Sequence, residues 1–205
     1  MSTPVDPTTP DRTTPEQGVP ERTITDPAVL RAYAHPTRLR ILDLLRAKGP
    51  LKVSQISDDL DEAIGSISHH LKPLEGAGLV ERAPELAQDR RETWWRVPVG
   101  RTSWNRSDMT PAAAQAALQA EELMLQRQFD LFRRALHETP DEGWTDASFA
   151  TSTWLHLTAD ELRDLNQRLN ELIDQFRETS QHHRAEPGSG SRPIFFSARG
   201  ITAEP

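Results

Sequence analysis

Apolar positions along this chain follow two periods, and the change from one to the other marks out its elements. Residues 1 to 25 follow neither: they are rich in Thr and Pro and nearly devoid of large apolar side chains. Such a stretch buries too little to offset its ordering entropy, so order is expected to begin at Asp26. There "TDPAVLRAYAHPTRLRILDLLRAKGP" opens with Asp26 before Pro27, an N-cap followed by a first-turn proline, and His35-Pro36 restarts a second helix. Leu39, Ile41, Leu42 and Leu45 supply that helix with a buried stripe, and Gly49-Pro50 ends it.

The next segment, "LKVSQISDDLDEAIGSISHHLKPLEGAGLVER", predicts two short helices around a tight turn. Ser54 is the expected N-cap of the first, which buries Ile56 and Leu60; Asp61 to Ala63 form the turn. The second helix runs from about Ile64 to Ala77. At 100° per residue it gathers Ile64, Ile67, Leu71 and Leu74 on a core face and leaves Gly65, Ser66, Ser68, His69 and Lys72 opposite. Pro73 removes the hydrogen bond that would reach the carbonyl of His69, and Gly78 is placed to end the helix in the left-handed region. Thereafter the period falls to two: "LVERA" and "ETWWRVP" read as strands around the polar loop "PELAQDRR". Trp95, in step with Thr93 and Val97, is the wing tryptophan expected in the core.

Beyond a polar connector the helical period returns. Thr110-Pro111 opens a long helix with Leu118, Leu125, Phe129, Phe132 and Leu136 on one side. The strand-like "ASFATSTWLHL" follows, and Thr158 with Glu161 forms a capping-box pattern before another long helix. Leu162, Leu165, Leu169, Leu172 and Phe176 recur there at steps of three and four, a heptad seam. "EPGSGSR" is a linker, and "PIFFSA" is a final strand candidate to pair with residues 147 to 157. Trp144 and Trp154 with Phe149 suit a dimer core, or the lining of an apolar ligand pocket.

Charge sharpens this picture. The net charge is -7, with 24 Lys+Arg against 31 Asp+Glu, which on average disfavours nucleic acid. Residues 31 to 106 nevertheless hold 13 basic and 10 acidic side chains, a local balance of +3, and the remainder carries -10. The absence of cysteine excludes disulfides and thiolate metal sites and fits a reducing, cytoplasmic setting. No run is long or apolar enough to span a membrane, and the start lacks the pattern of a secretory signal.

The paired histidines invite a metal reading, but neighbours on a helix point about 100° apart, whereas helical chelators are spaced by three or four. Glu178, His182 and Glu186 do have that spacing, yet such a run is more often a solvated helix end. No phosphate loop, nucleophile elbow or metalloprotease spacing is present, so neither an enzyme nor a cofactor is expected.

"HPTRLRILDLL" (residues 35–45), "VSQISDDLDEAIGSISHHLKPLEGAGLV" (residues 53–80) with Ser68-x-His70-Leu71, and the wing through Val97 resemble, in order and spacing, the ArsR-type winged helix-turn-helix transcriptional regulators. The resemblance covers about residues 26 to 98. It implies a mainly α fold with small β elements: a winged helix-turn-helix followed by long dimerisation or effector helices and short strands. The implied division is a tail at 1–25, a DNA-binding domain at 26–106, a helical dimerisation region at 107–183 and a linker with terminal strand at 184–205.

The implied function is that of a DNA-binding regulator, a repressor working as a homodimer on a palindromic operator. Its partners would be duplex DNA, a second copy and an effector of unspecified identity. Carried over by position, Ser66, Ser68, His69 and Lys72 of the recognition helix and Arg90 and Arg91 of the wing tip face DNA, with Ser54 and Gln55 ahead of them. Leu118, Leu125, Phe129, Phe132, Leu162, Leu165, Leu169, Leu172 and Phe176 are the dimerisation candidates. The alternative is a winged-helix module that binds a protein partner without specific DNA recognition; the local basic balance argues against it.

Overall fold

A computed structural model describes residues 20–89, 92–138, 141, 143–144, 146–186 and 188–204. Order starts before Asp26: β1 (Glu21–Thr23) pairs in parallel with β5 (Arg101–Ser103), and Ile24 is buried. The tail expectation therefore fails for residues 20–25, because one apolar side chain and a short strand match are enough to dock them. The connector expected to be merely polar supplies the other half of this pair.

The first two helices begin where their caps were expected. The Asp26 carboxylate accepts from the Ala28 amide at 2.7 Å to open α1 (Pro27–Tyr33). His35 Nδ1 accepts from the Thr37 amide at 3.2 Å to open α2 (Pro36–Lys48). Gly49, at φ 88°, ends α2. After β2 (Leu51–Lys52) come α3 (Val53–Leu60) and α4 (Ile64–Gly76). Gly78 at φ 66° reverses the chain, its amide reaching the Glu75 carbonyl and the Leu79 amide the Leu74 carbonyl, both at 2.9 Å.

The wing is antiparallel, with β3 (Glu81–Arg82) and β2 on either side of β4 (Trp94–Arg96). Trp95 lies in the core as its alternation predicts. The core itself joins Leu30, Tyr33, Ile41, Leu42, Ile56, Ile67, Leu71, Leu74 and Val80, all essentially inaccessible. Ile64 departs from expectation: it is 56 % exposed, because it occupies the first position of α4, before the helix reaches the core.

The long helix α5 (Pro111–Ala135) starts at Thr110, whose hydroxyl accepts from the Ala113 amide. Its buried face is Ala113, Ala116, Ala117 and Ala120, packed against α1, a face distinct from the Leu/Phe stripe. Alanines let the two helix backbones approach closely, and the larger residues Leu118, Leu125, Phe129, Phe132 and Leu136 are left exposed.

Helix α6 (Ala159–Ala185) opens with the anticipated capping box between Thr158 and Glu161. Along its heptad seam Leu165, Leu172 and Phe176 are exposed, and Leu162 and Leu169 half-buried. Arg101 and Asp174, 3.4 Å apart, link it to β5, and Arg184 donates to the Arg46 carbonyl at 2.7 Å.

Neither strand expected near the C-terminus forms among the described residues. Residues 146–157 and 191–204 run without ladder bonds; Phe149 lies 6.4 Å from Phe196 between them, and Phe195 lies 5.4 Å from Phe132 of α5. Phe149 and Trp154 are exposed and Trp144 lies beneath Arg192, so among the described residues these three side chains do not enclose a pocket within the protomer.

Candidate nucleic-acid interface

The geometry of the α3–turn–α4 unit is set by α2. Asp61 takes the left-handed conformation, φ 53°, that allows so tight a turn. Arg40 of α2 donates to the Leu60 carbonyl at 2.6 Å and lies 3.4 Å from the Glu62 carboxylate. Ser57 donates to the Glu62 carbonyl at 2.5 Å, and Ser66 to its carboxylate at 3.3 Å. Glu62 is thus the polar centre of the turn, a role its sequence context did not advertise.

Ser54 is exposed but is not the N-cap of α3, which falls at Lys52. The Gln55 side-chain carbonyl accepts from the Lys52 amide at 2.8 Å, so the Gln55 residue expected to face DNA already serves as the cap's partner. Its position three residues into the helix is the signal that identifies it.

Ile67, Leu71 and Leu74 anchor α4 in the core, and Gly65, His69, Lys72 and Gly76 form an exposed row on the other side. Ser66 and Ser68 flank that row half-buried. No carboxylate lies within it; the nearby Glu75 is held at 2.9 Å by Arg82. The exposed side of α4 therefore offers a cation, an imidazole and small residues, the set suited to a groove floor and its phosphate walls.

His70 faces inward. Its ring lies 4.4 Å from that of His35 and 5.4 Å from that of His69. Burial, foremost, together with Arg38 and His69 holds His35 below the ordinary histidine range, partly countered by Glu62. The same burial lowers His70, helped by His35, His69 and Arg38. These two rings are thus disposed to stay neutral near pH 7, which suits packing and capping better than phosphate contact.

At the wing root Lys52 sits 2.5 Å from Glu92 and 5.1 Å from the Trp94 ring centre. The hydrogen bond from Lys52, then that from the Gln88 amide, hold the Glu92 carboxyl below its usual range. Arg82 covers Trp95 at 5.3 Å, and Arg96 is paired with Glu81 and Glu85. The basic residues of these strands are consequently committed to partners within the fold, Arg82 to Glu75 of α4 among them. Arg90 and Arg91, the expected tip contacts, lie outside the described residues. The carboxylate and imidazole of Glu186 and His182 approach to 3.8 Å at an exposed end of α6, and no group of three or more metal-type ligands occurs among the described residues.

Residues 33–83 match a helix-turn-helix domain family. Over 57 residues the chain is 42 % identical to an uncharacterized HTH-type transcriptional regulator of Methanocaldococcus jannaschii, a match covering 28 % of this chain and 64 % of that relative, less than two thirds of its length. Solved structures with similar elements include HlyU from Vibrio cholerae, 22 % identical, with 50 % of this chain and 88 % of that one covered at a TM-score of 0.31. Another is the homodimeric winged helix-turn-helix DNA-binding domain of a possible ArsR-family transcriptional regulator from Mycobacterium bovis, 23 % identical, covering 56 % and 85 % at a TM-score of 0.31.

Proposed function

We propose that this chain, whose residues 33–83 carry the helix-turn-helix domain, is a sequence-specific DNA-binding transcriptional regulator of the ArsR-like winged type. It acts as a homodimer on a palindromic operator and represses by occluding the promoter. The observation that carries the reading is the exposed, carboxylate-free row on α4, with His69 and Lys72 held outward by three buried anchors. Ser68 and His69 are assigned to base edges and Lys72 to phosphate, with Ser66 positioned by Glu62 beside them. Ser54 approaches the backbone from the start of α3, and Arg90 and Arg91 track the flanking duplex.

Homodimerisation is assigned to the exposed apolar residues of α5 and α6, Leu118, Leu125, Phe129 and Phe132 with the Leu165, Leu172 and Phe176 seam, because side chains of that size in solvent call for a partner. Two such protomers would present their α4 helices to successive major grooves, with half-sites about one helical turn apart.

The test is selection of bound duplexes from a random library by the purified protein and by a Ser68→Ala, His69→Ala, Lys72→Ala variant. A palindromic motif enriched by the first and lost by the second is expected. Failure to enrich any motif with the fold and dimer intact would overturn the reading in favour of a protein-interaction module.

A further inference from the structure

At the C-terminal end of the α4 row, where Gly76 lines it, a cavity of about 310 Å³ opens between α1, the first turn of α2 and the last turn of α4. Arg38 is its singular feature. One terminal nitrogen of its guanidinium donates to the Arg31 carbonyl at 2.9 Å, while Nε is fully buried with no hydrogen-bond partner among the described residues. Among the described residues no carboxylate lies within salt-bridge distance of it. Asp26, the acidic residue of the lining, spends its carboxylate on the Ala28 amide.

The surroundings make this cation still less comfortable. Arg38 stands in the first turn of α2, where the helix dipole opposes positive charge, and Arg31 shares the lining. Burial alone lowers the affinity of Arg38 for its proton. A half-buried charge left unneutralised is met by one thing, an anion whose oxygens reach the terminal nitrogens of the guanidinium, since Nε itself is closed to any atom of that size. The rest of the wall, Val29, Ala32, Pro73 and Ala77, is apolar and matches a hydrocarbon body.

We propose that this cavity binds a small organic acid, its carboxylate on Arg38 and its apolar part against Val29, Ala32 and Ala77. The occupant would touch the last turn of α4 through Pro73 and Gly76, which makes the cavity an effector site for the DNA-facing helix. That regulatory consequence rests on the DNA-binding reading; the binding itself does not, and is tested without DNA.

The probe is sodium benzoate, with benzamide and sodium chloride as controls, titrated into the full-length protein labelled with ¹⁵N. The readouts are the Arg38 Nε–H resonance, assigned by its loss in Arg38→Lys, and the melting temperature. Benzoate is expected to shift the resonance saturably and to raise the melting temperature, while benzamide and matched chloride do neither. Ala28→Phe fills the mouth of the cavity from the exposed side of α1, leaves Arg38 and its bond to Arg31 in place, and is expected to abolish both effects. A resonance that ignores benzoate, that responds equally in Ala28→Phe, or that follows benzamide as well would overturn the proposal. So would a shift produced only by added duplex DNA, which would make Arg38 a phosphate contact.

Discussion

Ile64 and Ile67 occupy the same face of α4 by spacing, and the structure separates them: Ile67 is wholly inaccessible, whereas Ile64 is 56 % exposed. Truncating each to alanine removes the same three carbons. For Ile67 the transfer loss is about 2.4 kcal/mol at roughly 0.8 kcal/mol per carbon, and the cavity left in the core raises it to about 3–4 kcal/mol. Less than half of the Ile64 surface is covered and no closed cavity forms, so its cost is about 0.5–1 kcal/mol. The better helix propensity of alanine offsets both by about the same few tenths of a kcal/mol and leaves the difference untouched. Urea unfolding followed by far-ultraviolet circular dichroism measures both, at a protein concentration fixed so that any association contributes equally. Costs within about 0.5 kcal/mol of one another would refute the placement of α4 on the core.

Three further outcomes are expected. Since His35 and His70 have folded-state values below the ordinary 6.5, the unfolded chain binds protons more readily; stability is therefore full above about pH 6.5 and falls as the pH drops below it, Thr37 losing its cap acceptor as His35 protonates. Urea midpoints between pH 8 and pH 5 check this, and His70→Gln should flatten the decline. Ala117→Leu overfills the closely packed α1–α5 contact and should destabilise by about 1–3 kcal/mol, whereas Leu118→Ala, next to it in sequence but exposed, should cost the protomer little by thermal melting. Lys72→Ala should weaken DNA binding at every sequence tested and reduce the slope of log K against log salt by about 0.9, read by fluorescence anisotropy across a salt series.

Caps and periods made the helix boundaries legible. Asp26, Gly49, Gly78, Thr110 and the Thr158/Glu161 box each act through neighbours a few residues away, so their effect is written locally. What escaped was non-local. The choice of alanines rather than Leu and Phe as the inner face of α5 depends on how near α1 lies, which no period along α5 encodes. The strand at residues 21–23 depends on a partner about eighty positions away, and its composition alone says tail. Within the candidate interface, Lys72 and His69 were placed by helical geometry, while the engagement of Gln55 with Lys52 and of Ser66 with Glu62 required the turn to be seen.

One further contact ties these regions together. Arg22 of β1 donates to the Ala77 carbonyl at 2.9 Å, at the very end of α4, and its guanidinium fills the space that a side chain at Gly78 would need. A chain begun at Asp26 would lose that bolt, strip β5 of its neighbour and uncover the hole left by Ile24. Strand β1 therefore stands at a joint shared by the end of α4 and the route to α5. Any displacement of β1 would reach the end of α4 through the Arg22 bond, without touching the exposed row of that helix.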